Sequence, residues 1–170
     1  MVALPVWIER WAYECCGQRR RVGDAVTLGL ASDGVAEVTN EPEGIRVETD
    51  GSVRVVGRVV GQVASAHSNE PTALVQCGTT LQFAVAGAEE QAERVRCAGK
   101  LWETGHGFAA GFTSGRLLDI RWHPALLRRT AERTFVVEGY GDGRELSCTD
   151  DWPREDADTW ALELWLWVNP

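Results

Sequence analysis

No stretch of this sequence approaches the ~20 consecutive apolar residues that a membrane-spanning helix needs. Lysine is nearly missing: Lys100 stands alone among 17 basic residues, set against 25 acidic ones for a formal net charge of −8. That balance argues against a nucleic-acid footprint, which depends on clustered Lys and Arg displacing phosphate counterions. The short runs Arg19–Arg21 and Arg128, Arg129, Arg133 read as solvated edges. Zinc spacings of the CxxC, HxH or HExxH kind do not occur, so no metal is expected. No G-x-S-x-G elbow, Walker loop or G-x-G-x-x-G turn occurs, so nucleotide cofactors are not expected either, and the cofactor expectation is none. Five cysteines, an odd number without framework spacing, argue against a secreted disulfide scaffold. The apolar run Val2–Ile8 is short, has no basic residue before it and is broken by Glu9 and Arg10, which is not the pattern of a signal peptide. The expected compartment is the cytoplasm.

What the sequence does carry is tryptophan at both ends on an alternating spacing. Trp7, Glu9, Trp11 and Tyr13 share one parity near the start, and Glu163, Trp165 and Trp167 do so at the end. Residues two apart in a strand face the same way. Each stretch therefore predicts an aromatic ladder with an acid inside it, and pairing of the two would close a sheet. On the last strand Leu162, Leu164, Leu166 and Val168 fill the other face, so both faces need cover. A Trp side chain buries on the order of 200 Å², and leaving Trp165 and Trp167 in water would forfeit several kcal/mol at roughly 25 cal/mol per Å². Core, dimer interface and ligand pocket are the three candidate covers.

Turn signals recur along the chain between runs rich in Val, Thr and Trp, the pattern of a small barrel or sandwich. Strands are predicted at Val6–Cys15, Asp24–Leu30, Ile45–Thr49, Val53–Ala66, Thr72–Gln76, Thr80–Val85, Val95–Glu103, Arg116–Trp122, Thr134–Glu138, Glu145–Thr149 and Trp160–Val168. Asp50-Gly51 reads as a hairpin turn. Helices are predicted at Ala88–Glu93 and at Pro124–Arg133, where Pro occupies a first helical position. The frame V-R-x-x-G-basic-aliphatic occurs twice, from Val53 and from Val95, and a glycine inside each strand suggests a bulge or corner. Residues 105–115, rich in glycine, read as a long loop or lid. The whole, residues 1–170, reads as a single all-β domain: one small barrel or barrel-like sandwich with one short helix.

For chemistry, His106 and His123 are the natural general bases, with Glu9 beside the aromatic row. Cys15-Cys16 is conspicuous, but adjacent residues on a strand point to opposite faces. The acidic stretch Asp150–Asp158 lacks the alternation and central glycine of a calcium loop. The run Trp7-x-Glu9-x-Trp11-x-x-x-Cys15-Cys16-Gly17 followed by Val22-Gly23-Asp24-x-Val26 resembles the opening of an actinobacterial family of unknown function. The high-GC signature of Arg over Lys agrees with that source. The resemblance implies an intracellular protein of similar size and brings no activity, cofactor or catalytic residue. The functional expectation is a non-catalytic ligand-binding or protein-interaction barrel, with a small-molecule or protein partner and a possible homodimer. Trp7, Glu9, Trp11, Glu163, Trp165 and Trp167 would carry it. The alternative is a small cofactor-free cyclase or isomerase in which His106, His123 or Glu9 moves a proton.

Overall fold

Alternation at the two ends of the chain does pair them. In the computed structural model, strand β1 (Val2–Glu9) runs antiparallel to the last strand, β12 (Trp160–Val168), from Val2 opposite Val168 to Glu9 opposite Ala161. Leu4, Val6 and Ile8 enter the core from one strand and Leu162, Leu164, Leu166 and Val168 from the other, all essentially without solvent contact. Each such side chain contributes roughly 2 kcal/mol of apolar burial. Trp7 lies directly opposite Glu163 on the outer face. The structure describes residues 1–170 other than 66, 67, 88–91, 106, 107, 109, 154–158 and 170, and describes only the backbone at 65 and 68–70.

Among the described residues the protein is all-β, 67% strand, with one short α-helix. After β1 come α1 (Arg10–Cys16), β2 (Ala25–Val38), β3 (Gly44–Val47), β4 (Val53–Ser65), β5 (Ser68–Cys77) and β6 (Leu81–Ala86). Then follow β7 (Arg94–Gly99), β8 (Leu101–Glu103), β9 (Gly111–Ala131), β10 (Thr134–Tyr140), β11 (Arg144–Glu145), a 3-10 turn at Thr149–Asp151, and β12. The pairings close two rings. One runs β1–β12–β9–β2–β8 and back to β1, where Val6 and Trp7 meet Leu101 and Trp102 in parallel. The other runs β2–β7–β4–β5–β6 and back to β2. Strand β2 belongs to both, and its ladder with β6 is broken between Ala31 and Val35, where it passes from one ring to the other. Backbones crowd at that waist. A Cβ on Gly99 would lie 2.5 Å from the Gly34 nitrogen, and one on Gly34 would lie 2.3 Å from the Ala98 carbonyl oxygen. The result is barrel-like without being one clean barrel.

The repeated V-R-x-x-G frames pair with each other. Val53 lies opposite Gly99 and Gly57 opposite Val95, antiparallel and without a register shift, so the echo is a local two-fold. Neither glycine marks a bulge there, since the irregularities in β4 fall between Val59 and Gly61 and between Val63 and Ser65. Asp50-Gly51 makes the β3–β4 turn, with Gly51 at φ +77°.

Several elements depart from expectation: the strand predicted over Glu145–Thr149 is reduced to Arg144–Glu145, and Val95–Glu103 is split into β7 and β8. The strand predicted over Val6–Cys15 ends at Glu9, and Arg10–Cys16 is helical. Odd-numbered Trp and Tyr suggested a strand, but Ala12 and Tyr13 are adjacent buried residues, as on a helix face. An Arg10–Glu14 pair at 2.9 Å adds i,i+4 support. The helix predicted over Pro124–Arg133 is instead the far half of β9, paired with β10 from Ala125 opposite Tyr140 to Ala131 opposite Thr134. The Val- and Phe-rich run that follows supplies a cross-strand partner that local helix periodicity cannot outweigh. Most of the predicted Ala88–Glu93 helix lies outside the described residues; Ala92 and Glu93 are not helical. Of the predicted 105–115 loop, Gly111 onward opens β9.

Candidate functional site

The switch from strand to helix after Glu9 builds the site. It turns Trp11 back toward Glu9, whose carboxylate accepts the Trp11 indole N–H. Across from it, β8 holds Trp102, whose indole N–H donates to Asp33 Oδ2 at 3.0 Å. Asp33 sits at the β2 waist and its other oxygen accepts the Lys100 backbone N–H at 2.7 Å. Two indoles are therefore each oriented by a carboxylate, which leaves their ring faces free of polar obligations. Phe108 packs against Trp11 at 5.6 Å between ring centroids. Together Glu9, Trp11, Ala12, Asp33, Trp102, Glu103, Thr104 and Phe108 line a recess of about 360 Å³. Glu103 is committed elsewhere: it clasps the buried Arg20 guanidinium through two hydrogen bonds of 2.5 and 2.6 Å. Among the described residues neither Glu9 nor Asp33 forms an ion pair.

A second recess of about 470 Å³ shares Glu9, Asp33 and Trp102 and adds Lys100, Asp50, Glu138 and Tyr140. Here a cation is already in place. The Lys100 ammonium lies 4.4 Å from the Trp7 ring centre and 5.8 Å from that of Tyr140. Trp7 stacks on Tyr140 at 5.4 Å and sits 6.1 Å from Trp102. Burial, helped by the Glu9 charge, pushes the Tyr140 phenol up to about 12, so it stays neutral beside the lysine.

The other predicted residues lie apart from these recesses. Glu163 is buried and hydrogen-bonds His123 Nε2 at 3.1 Å, while His123 Nδ1 meets the Gly141 carbonyl at 2.8 Å. His123 packs on Trp7 at 5.0 Å, and a Cβ on Gly143 would strike its ring at 2.5 Å. Both ring nitrogens are occupied, so this pair pins the outer face of the sheet. Trp165 and Trp167 follow Glu163 by two and four residues, about 7 and 13 Å along the strand. Trp165 is half-buried with its indole nitrogen unpaired among the described residues, and Trp167 is 42% exposed with its N–H on the Met1 sulfur. Of the six residues expected to share a ligand face, Glu9 and Trp11 line the recess and Trp7 backs Trp102. His106 and His67 lie outside the described residues.

Sequence reasoning missed Asp33, Trp102, Lys100 and Tyr140. Trp102 closes the second V-R-x-x-G frame, a signal read for symmetry alone; parallel pairing with Trp7 is what makes it part of the site. Cys77, Cys97 and Cys148 are buried, and burial pushes the thiols of the first two up, as suits core residues. Cys15 and Cys16 lie on α1 rather than on a strand, with their sulfurs 3.0 Å apart. Among the described residues no three His, Cys, Asp or Glu side chains gather as metal ligands, and no helix is long and apolar enough to cross a membrane.

Fold and site together define a double-ringed β protein with an aromatic–carboxylate recess at the foot of α1. The model of a family of unknown function, DUF6578, matches residues 2–112, and the chain belongs to that family. The matched stretch holds every residue lining the first recess, whereas His123, Tyr140 and Glu163 fall beyond it. No curated protein and no solved structure matches the chain.

Proposed function

We propose that the protein binds a small organic cation, such as a quaternary ammonium or guanidinium compound, without transforming it. The observation that carries the reading is the pairing of Glu9 and Asp33 with Trp11 and Trp102 around one recess: two carboxylates not neutralised by a described cation, each orienting an indole that borders the cavity. Indole faces attract cations through the ring quadrupole, by about 0.5–2 kcal/mol depending on desolvation. A volume of about 360 Å³ is at the small-ligand end of binding sites. Lys100 gives an internal precedent, because the neighbouring aromatic cluster already seats an ammonium. The cyclase or isomerase alternative has less support. Of its described candidates only Glu9 reaches the recess, since the His123 nitrogens are both engaged.

The test is calorimetric titration with choline and with its neutral isostere 3,3-dimethyl-1-butanol. Choline should bind roughly tenfold tighter or better, equivalent to about 1.4 kcal/mol, and Glu9→Gln should remove most of that difference. Trp102→Ala should weaken cation binding further, with the fold intact by circular dichroism. Equal affinity for the two probes, or a preference that survives Glu9→Gln, defeats the reading.

A further inference from the structure

The recess beside Trp11 continues along α1 into a third cavity, of about 410 Å³. Ala12, Glu103, Thr104 and Phe108 line both. Glu9 and Trp11 line only the first of the pair, whereas Cys16 and Gly17 line only its continuation. Ala12 and Cys16 stand one turn apart on the same face of the helix, so the two cavities follow one another along it. They differ in charge. Glu9 and Asp33 at the first end form no ion pair among the described residues. In the continuation the only charged lining residues are Arg20 and Glu103, and they satisfy each other through two hydrogen bonds. Its hydroxyls are engaged too: Thr27 with Ser114 at 2.7 Å, and Thr104 with the Gly29 carbonyl at 3.5 Å. What lacks a partner there is apolar surface. Phe112 is 69% exposed, and Phe108 on the shared wall is exposed as well. Apolar surface rimmed by satisfied polar groups is the mark of a ligand groove.

We propose that this continuation takes a short alkyl chain carried by the cation that the first recess holds, so that the ligand is an amphipathic cation. The inference rests on the cation-binding reading and extends it from a head group to a ligand of two parts. Charge sets the orientation. The unpaired carboxylates draw the ammonium to the Glu9 and Asp33 end, and the neutral end is left for hydrocarbon. A second charged group on the ligand is opposed there, because taking Arg20 from Glu103 would leave one buried charge without its partner. A chain lying from Ala12 toward Cys16 covers Phe108 and Phe112, whose burial supplies the gain.

Calorimetric titration of the full chain with tetramethylammonium, butyltrimethylammonium and hexyltrimethylammonium tests it. Each methylene taken from water into the continuation should tighten binding roughly threefold, which makes about tenfold between the butyl and hexyl compounds. Phe112→Ala should flatten that series; the residue is exposed on β9, so circular dichroism should show the fold intact. Cysteine chemistry locates the chain without recourse to affinity. Cys16 lines the continuation and not the first recess, Cys15 is exposed next to it, and the other three thiols are buried. In a Cys15→Ser background, saturating hexyltrimethylammonium should slow alkylation of Cys16 by iodoacetamide several-fold, and tetramethylammonium should not. A flat series, with choline still preferred to 3,3-dimethyl-1-butanol, overturns the tail and leaves the head-group reading standing. Binding of 1-hexanol as tight as that of hexyltrimethylammonium overturns the head-group reading and the two-part ligand with it. A gain that survives Phe112→Ala, or that leaves Cys16 unprotected, puts the chain elsewhere and defeats the proposal.

Discussion

Tyr13 and Tyr140 are the only tyrosines in the chain, and both phenols are pushed up to about 12. For Tyr13 the main cause is burial, reinforced by its hydrogen bond to Asp150, which favours the protonated phenol. For Tyr140 it is burial and then the Glu9 charge. Unfolded tyrosine ionises near pH 10. Between pH 10 and 12 the unfolded chain therefore releases phenolic protons that the native protein retains, and stability falls across that window. Below pH 10 both states are protonated and the tyrosines add no pH dependence. Tyrosinate absorbance near 295 nm checks this: at pH 11 the native protein should show little of it, and adding urea should release the signal of both residues. Substantial tyrosinate in the native protein at pH 11 would mean that Tyr140 does not sit in the closed cluster with Trp7 and Trp102. The same cluster explains why Lys100, the single lysine, belongs with the site: a neutral phenol and an indole face can seat an ammonium that a tyrosinate would pair with outright.

At the scale of elements, glycines separate two kinds of strand position. Gly99 and Gly57 sit where backbones touch; a Cβ on Gly57 would lie 2.6 Å from the Gln76 carbonyl oxygen, and one on Gly99 would meet the β2 backbone. Gly61, on the same β4 strand, has open space around it. Urea denaturation should therefore give Gly99→Ala and Gly57→Ala losses of about 2 kcal/mol, because the clashing atoms are backbone and cannot swing away. Gly61→Ala should be neutral or slightly stabilising through lower unfolded-chain entropy. Comparable losses at all three would refute the crowded waist. These positions also show what the sequence disclosed. Terminal pairing was legible because alternation of Leu and Trp over a whole strand has only one satisfactory burial. The recess was half legible: Glu9 and Trp11 stood out, but as members of a ladder that in fact ends at Glu9. Helix α1 was hidden because Trp7, Glu9, Trp11 and Tyr13 fall on one parity by coincidence of an element boundary. The partners Asp33, Trp102 and Tyr140 come from strands far apart in sequence, and nothing local encodes a parallel contact such as Trp7 with Trp102. For the same reason β9 looked helical, since only its pairing with β10 decides otherwise.

Over the whole molecule the question is whether two closed rings behave as one cooperative unit. Strand β2 contributes hydrogen bonds to both, and buried side chains of the two rings fall in one continuous cluster that includes Leu28, Leu30 and Ala36 from β2. Disrupting either ring frees an edge of β2 and with it the other ring, so coupling is expected. Tryptophan placement makes this directly measurable. All eight tryptophans lie outside β4, β5, β6 and β7, at positions 7, 11, 102, 122, 152, 160, 165 and 167. Fluorescence thus reports the first ring, while far-ultraviolet dichroism reports both. Val75 is fully buried in β5, in the second ring. Val75→Ala removes two methyl groups from the core and should cost about 2 kcal/mol. If the rings are coupled, the fluorescence midpoint in urea should fall together with the dichroism midpoint, although no tryptophan lies on the mutated ring. A fluorescence curve that stays in place while the dichroism transition splits would mean that the rings unfold separately. The β2 waist would then be a hinge between them and not the shared spine of one core.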